Sequence, residues 1–244
     1  MTVRVEVVQR ILRANDALAG EVRALLDQAG ITAINLIGSP GSGKTSLLER
    51  TAVLLHPRIR LGVIEGDIAT TRDAERIARC GIPAVQIETR LAGNACHLDA
   101  SMVQSALGSL VLADLQVLFI ENVGNLVCPA AYDVGEHLRV VVASVPEGDD
   151  KVYKYPSTFA GADAVVLNKV DLVSATEFSF EAFTAGLREV TVAPLFPVSA
   201  RTGEGLADWI AWIEARQADH ARDAARPTTA TRQDAAVADG PRTG

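Results

Sequence analysis

The sequence is short of cysteine, of positive charge and of long apolar runs. Three cysteines in 244 residues are too few, and odd in number, for the disulfide framework of a small secreted domain. No stretch reaches the roughly eighteen consecutive apolar residues that span a bilayer, and the opening "MTVRVEVVQRILRAND" lacks the layout of a secretory signal. A net charge of −7 and a pI near 5.2 disfavour binding driven by nucleic-acid phosphates. The expectation is therefore a cytoplasmic protein with no nucleic-acid partner and no membrane association. No internal repeat is present. Apolar residues at 48% and charged residues at 22% describe a globular chain, long enough for one domain of upper ordinary size or two small ones.

Short apolar, β-branched runs recur at 31–37, 59–65, 83–88, 116–121, 138–145, 163–168 and 194–199. Most are apolar on both faces, as in a parallel sheet covered on both sides. Helix-like stretches alternate with them at 44–55, 71–80, 99–112, 177–189 and 204–217. This alternation predicts a doubly wound, mostly parallel α/β domain with helices on both faces; "GSPGSGKT" at 38–45 and "NKVD" at 168–171 make it one of the P-loop, G-protein-like kind. Residues 4–29 carry apolar positions at helical spacing, including Val8, Ile11, Leu12, Leu18, Val22, Leu25 and Leu26. They predict one long or two short helices packed on the sheet, with a partner-helix role open. The expected organisation is an N-terminal helical segment (1–30), a nucleotide-binding domain (31–218) and a disordered tail (219–244), where apolar periodicity stops.

The chemistry concentrates at strand ends. "GSPGSGKT" (38–45) matches the phosphate-binding pattern G-x-x-x-x-G-K-[ST] between a strand and a helix. Gly38, Gly41 and Gly43 let backbone N–H groups turn toward phosphate oxygens, with Ser39, Ser42 and Ser46 in the same cradle. Lys44 is the expected partner of the β and γ phosphates, and the Thr45 hydroxyl an expected Mg²⁺ ligand. "NKVD" (168–171) selects the base: Asp171 can accept both the N1–H and the 2-amino N–H of guanine, which adenine does not offer. Asn168 is expected on the O6/N7 side, Lys169 against the ring and phosphate loop, and a backbone N–H from Ser199–Ala200 at O6. GTP and GDP are the expected ligands. Asp67 and Glu121 each follow or end a strand, placed for Mg²⁺ or its waters; with Lys44 they are the candidate catalytic residues. "ENVG" puts Gly124 where a backbone N–H can sense the γ-phosphate. The next residue is Asn125 rather than glutamine, so slow intrinsic hydrolysis is expected.

"NACHLDA" sets Cys96 beside His97, and Cys128 follows in "FIENVGNLVCPA". Thiolate and imidazole suit Zn²⁺ or Ni²⁺ rather than Mg²⁺ or Ca²⁺. Spacing alone leaves open whether these are metal ligands or core thiols. Three ligands leave a tetrahedral site one short, to be completed by water or by a twofold-related copy. Cys80 reads as a core cysteine, and His56, His137 and His220 stand isolated.

Together, "GSPGSGKTSLLE", "EGDIATTRDAERI", "ACHLDA", "ENVGNLVCP", "EGDDK…KYP" and "NKVDL" resemble the hydrogenase nickel-incorporation GTPases of the HypB family, within the SIMIBI class. The likeness covers about residues 14–213. The resemblance implies a cytoplasmic GTP-hydrolysing metallochaperone for [NiFe]-hydrogenase maturation, forming a homodimer favoured by GTP with metal at its interface. It implies Cys96, His97 and Cys128 as ligands of nickel or zinc, and Thr45, Asp67 and Glu121 as the magnesium positions. A HypA-type nickel chaperone and a hydrogenase large-subunit precursor become the implied partners. No cysteine- or histidine-rich segment precedes the phosphate loop, so nickel storage is not implied. The alternatives are a urease-type accessory GTPase, whose motif is Cys-Pro-His, a cobalamin-enzyme accessory GTPase, or a GTP-binding regulatory protein with structural cysteines. A P-loop small-molecule kinase is disfavoured by "NKVD".

Overall fold

The computed structural model describes residues 2–67, 72–92 and 95–224. A long helix, α1 (Thr2–Ala29), leads into β1 (Thr32–Ile37) and then α2 (Lys44–Leu55). Next come β2 (Leu61–Asp67), α3 (Arg72–Ala78) and β3 (Ala84–Glu88). The middle of the chain forms α4 (Ala100–Leu107), β4 (Val117–Glu121), the single turn α5 (Cys128–Ala131) and β5 (Leu138–Ser144). It continues through α6 (Lys151–Lys154), α7 (Pro156–Ala160), β6 (Ala164–Asn168), α8 (Phe180–Val190), β7 (Leu195–Pro197) and α9 (Leu206–Ala224). The strands form one seven-stranded sheet in the order β3-β2-β4-β1-β5-β6-β7, with parallel pairs throughout. This is the expected doubly wound α/β architecture. Its strands end together at one edge, where such folds bind ligands.

Period-two alternation along the strands divides the core. Ile34, Phe119, Val142 and Val166 face α2 and α9, where they meet Leu47, Leu55 and Trp209. Ala33, Leu118 and Ile120 face Val22 and Leu26 of α1 and Val103 of α4. Val141, Val165 and Leu167 meet Phe159 and Phe183. Each such large side chain contributes about 1.5–3 kcal/mol when removed from water. The buried indole of Trp209 also donates to Thr51 Oγ1 at 2.9 Å, so its one polar atom is satisfied.

Two elements depart from the sequence reading. The helix expected over 99–112 closes at Leu107: Asp99 caps its start by accepting from Met102 N–H at 2.9 Å, and a separate 3₁₀ turn follows at Leu112–Asp114. The last helix runs to Ala224, past the point where apolar periodicity ends, so residues 219–224 are helical rather than tail. Arg216 and Arg222 both pair with Asp219 at helical spacing, holding a polar surface in place of an apolar one. The remainder of the expected tail lies outside the described residues.

The same helix end overturns the reading of His137 and His220 as isolated. Asp27 of α1 accepts from His137 Nε2 at 3.0 Å and from His220 Nε2 at 2.9 Å. His137 Nδ1 in turn accepts the Ala33 backbone N–H at 2.8 Å, which fixes its proton on Nε2. His220 Nδ1 lies 3.1 Å from the Thr32 hydroxyl. The three side chains are close enough to surround a cation. A ligating Nε2 would however need its proton on Nδ1, pointed straight at the Ala33 N–H. The arrangement is a hydrogen-bonded clamp that joins α1, α9 and the start of β1. Burial and the neighbouring His220 hold the His137 pKa below its ordinary value. The folded state thus binds fewer protons there than the unfolded chain, and stability falls as pH drops below the usual histidine range. His137→Asn, which can keep an acceptor for Ala33, should flatten that loss. Between about pH 7 and 5 the variant should lose less stability than the parent, seen as a smaller fall in Tm by thermal denaturation.

Candidate nucleotide and metal site

At the carboxyl edge of the sheet the phosphate loop leaves β1 and opens α2. Gly43 adopts φ +91° as the N-cap residue, and a Cβ there would lie 2.4 Å from Asn168 Nδ2, so only glycine fits both the turn and the contact. Gly41, Gly43, Lys44, Thr45 and Ser46 line a cavity of about 450 Å³ together with Glu65, Asp67, Glu121 and Gly124. Lys44 is buried and donates to its own loop, to the Gly38 carbonyl at 3.2 Å. Thr45 Oγ1 donates to Glu121 Oε1 at 2.8 Å. Ser39 is half-buried, and Ser42 is fully buried with its hydroxyl unpartnered; the residues lining this cavity include neither. Ser46 accepts from Arg76 at 3.1 Å, in a cluster with Glu49 and Asp73.

Glu65 was not among the residues expected from the sequence. It stands directly opposite Glu121 in the β2–β4 register, and both carboxyls are buried, each with its Oε2 unpartnered. Burial, then the charge of Glu121, pushes the Glu65 carboxyl far above the ordinary range; burial likewise raises Glu121, against the pull of Lys44. The signal was available in "VIEGD": alternate residues of a strand share a face, so Glu65 must point to the same side as Asp67. Two acidic groups with unmatched oxygens beside a threonine hydroxyl are a donor set for a hard divalent cation.

A second cavity, of about 750 Å³, adjoins the first and is lined by Gly43, Arg50, Asn168, Lys169, Asp171 and Ala200, among others. Asn168 is buried and donates to the carbonyls of Ser42 (3.0 Å) and Gly43 (3.4 Å), while its oxygen accepts from the N–H of Lys169 (2.8 Å) and Ala200 (3.1 Å). All its hydrogen-bonding capacity is spent on protein. Asn168 therefore braces the phosphate loop against both base loops, and it also lines the cavity beside Asp171. Lys169, at φ +62°, sends Nζ to the Gly41 carbonyl at 2.6 Å. Asp171 Oδ1 accepts from Ser199 Oγ at 2.5 Å and Oδ2 from Arg201 Nε at 2.9 Å, and these partners hold its carboxyl below the usual range.

The thiols lie beside the loop that follows β4. Cys96, His97 and Cys128 bring one ligand atom each within 4.8 Å of one another, with Cys96 exposed and the others half-buried. His97 stacks on Tyr132 at 3.8 Å, and burial keeps its pKa low, which leaves the ring neutral and able to ligate. The Cys128 thiol is raised, chiefly by its contact with Cys96 and then by burial. Cys80 packs half-buried against the core, with Sγ toward the Arg76 carbonyl.

Two asparagines, Asn122, which the sequence reading passed over, and Asn125, which it noted only for the missing glutamine, join these sites. Asn122, buried beside Glu121, accepts from Leu98 N–H at 3.0 Å and so fixes the residue after His97. Asn125 donates its backbone N–H to the Gly38 carbonyl at 3.0 Å and its side-chain amide to the Cys96 carbonyl at 3.4 Å. A Cβ at Gly124 would sit 3.0 Å from Pro40, so the two loops touch at a glycine.

Residues 32–194 match the profile of the CobW/HypB/UreG nucleotide-binding domain. The chain belongs to that family. It is 51% identical over 215 residues to the hydrogenase maturation factor HypB of Azotobacter vinelandii, covering 88% of this chain and 70% of that one. It is 43% identical over 221 residues to the hydrogenase/urease maturation factor HypB of Helicobacter hepaticus, covering 88% and 89%. Among solved structures, HypB from Helicobacter pylori in complex with nickel superposes with a TM-score of 0.80 at 39% identity, covering 84% of this chain and 96% of that one. Membership places the phosphate loop, the "NKVD" loop and the Cys-His-Cys cluster in a nucleotide-binding domain of the HypB kind. Among the described residues, no helix is long and apolar enough to cross a membrane.

The brace at Asn168 can be tested directly. Asn168→Ala should strand buried donors and acceptors on three loops, at about 2–4 kcal/mol. A Tm lower by roughly 4–16 °C and at least tenfold weaker nucleotide binding are expected, read by thermal denaturation and calorimetric titration.

Proposed function

We propose that this chain is a GTP-binding, GTP-hydrolysing metallochaperone that delivers nickel during [NiFe]-hydrogenase maturation. The observation that carries the reading is the chain of contacts from phosphate loop to thiols through Asn125. Gly38's carbonyl accepts from both Lys44 and Asn125, and Asn125 also holds the Cys96 carbonyl. A phosphate in the loop draws Lys44 away from Gly38, so that carbonyl then answers to Asn125 alone. Asp171 would read guanine, with the Ser199–Ala200 backbone on the O6 side, Asn168 on the O6/N7 side and Lys169 along the ring edge. Thr45, Asp67 and Glu121 would hold Mg²⁺, which supplies charge neutralisation at the β and γ phosphates when bound. Lys44 and the loop N–H groups orient the phosphates, and Gly124 meets the γ-phosphate. Hydrolysis is slow because Asn125 stands where a water-orienting glutamine would.

Cys96, His97 and Cys128 bind the transported metal, nickel or zinc, through two thiolates and a neutral imidazole. With three protein ligands, a homodimer favoured by GTP brings a second set to the same metal. A HypA-type nickel chaperone and a hydrogenase large-subunit precursor are the partners, in the reducing cytoplasm where three free thiols persist.

Metal titration of the GDP and GTP-analogue forms, with oligomeric state followed by light scattering, tests this reading. Cys96→Ala with Cys128→Ala should abolish stoichiometric Ni²⁺ binding and leave GDP affinity within about twofold; retained stoichiometric binding by the double variant would refute the metal assignment. Asn125→Ala should keep both ligands yet lose the linkage between them. In the parent, nucleotide must change metal affinity by the same factor that metal changes nucleotide affinity. In the variant that factor should approach one.

A further inference from the structure

Asp171 already has a guanidinium on it. Arg201 sends Nε and Nη2 to Asp171 Oδ2, each at 2.9 Å, while Ser199 Oγ occupies Oδ1 at 2.5 Å. The Asp171 side chain is 10% exposed and that of Arg201 76% exposed, so the carboxylate is a fixed wall and the arginine a mobile arm over it. The backbone beneath the arm is fixed too. Arg50 donates Nε to the Ala200 carbonyl at 2.9 Å and Nη2 to the Arg201 carbonyl at 3.1 Å. Only the Arg201 side chain has freedom to leave.

Guanine's recognition edge, N1–H with the C2 amino group, is itself part of a guanidine unit: planar, with N–H donors side by side. Arginine presents the same pattern with a full positive charge. We propose that Arg201 is an internal mimic of guanine that occupies the specificity carboxylate and must swing out before the base can seat. The inference rests on the guanine reading of Asp171 given above. It makes Arg201 a gate on nucleotide entry and a filter on it. A base with two adjacent donors replaces what the carboxylate loses when the arm leaves. Adenine, with an acceptor at N1 and no 2-amino group, leaves it unpaired.

The expected effect follows from the closed fraction. Apparent affinity is the intrinsic affinity scaled by the population with the arm open, and an exposed ion pair closes that population by a small factor. Arg201→Ala in the full chain should raise the association rate of a fluorescent GDP about two- to fivefold in stopped flow. The dissociation rate should stay unchanged, and Kd should fall by the same factor. Arg201→Lys, which keeps the charge but not the planar fork, should fall between. In the Asp171→Asn background, measured with xanthosine diphosphate, removing Arg201 should bring no gain. An unchanged association rate overturns the proposal. A faster dissociation rate with weaker binding also overturns it, because Arg201 would then hold the base. A gain of equal size in the Asp171→Asn background overturns it as well, since the effect would not act through Asp171. Failure of the guanine reading shows separately, as parental protein that binds ADP as tightly as GDP.

Discussion

One carbonyl oxygen, that of Gly38, accepts from the Lys44 ammonium on one side and from the Asn125 N–H on the other. The placement of both sites depends on this shared acceptor. β1 and β4 are adjacent and parallel, so their carboxyl ends release the phosphate loop and the "ENVGN" loop side by side. Beyond the last regular residue of that parallel ladder, an isolated antiparallel bridge between Gly38 and Asn125 joins the two loops. The phosphate loop and the loop that carries Cys128 are thus tied directly to each other by backbone hydrogen bonding. Cys128 follows Gly124 by four positions, about 14 Å of chain at full extension. The single turn of α5 takes up part of that span.

A buried polar relay supports the same region from below. Leu98 N–H reaches Asn122, Asn122 reaches Asn35 at 3.3 Å, and Asn35 reaches Glu136 at 3.2 Å, which pairs with Arg139 at 2.7 Å. Asn35 lies within β1, and Asn122 and Glu136 are buried at the ends of the neighbouring strands. A relay of this kind is costly if broken, because low dielectric penalises every orphaned partner. It fixes the residue beside His97 relative to three strands and leaves Cys96 exposed at the surface. Rigidity lies under the imidazole, and freedom remains with the outer thiol.

The strands were legible in the sequence because each is buried on both faces, and runs such as "QVLFIE" leave no other reading. The phosphate loop was legible because its chemistry is local: glycine geometry, lysine and threonine all lie within eight residues. Contacts between distant segments were not. Asp27, His137 and His220 are separated by more than eighty residues at each step, and no periodicity announces that they converge. The motif placed Asn168 at the base but gave no sign of its contacts to Ser42, Gly43 and Ala200, which come from two other loops. Helix α9 outran its apolar pattern because charge pairs at i,i+3 and the Asp27 clamp hold its last turns. Glu65 was the avoidable omission, since strand alternation alone puts it beside Asp67.

Glu65 and Glu121 also bear on why this corner looks as it does. Two buried carboxyls in register across adjacent strands oppose folding, since both desolvation and mutual repulsion disfavour the charged forms. Lys44 offsets part of that cost for Glu121, and Thr45 supplies one hydrogen bond, yet an oxygen on each acid stays unmatched. A pair of leucines would fold better here. Strained electrostatics of this kind survive where function needs them, because the missing positive charge then arrives with a ligand. At the nucleotide end of the sheet Lys44 rests on its own loop and Asp171 on Arg201. The Gly38 carbonyl that receives Lys44 is also the one that Asn125 of the thiol loop shares, so the lysine beside the acids and the thiol loop meet at one acceptor.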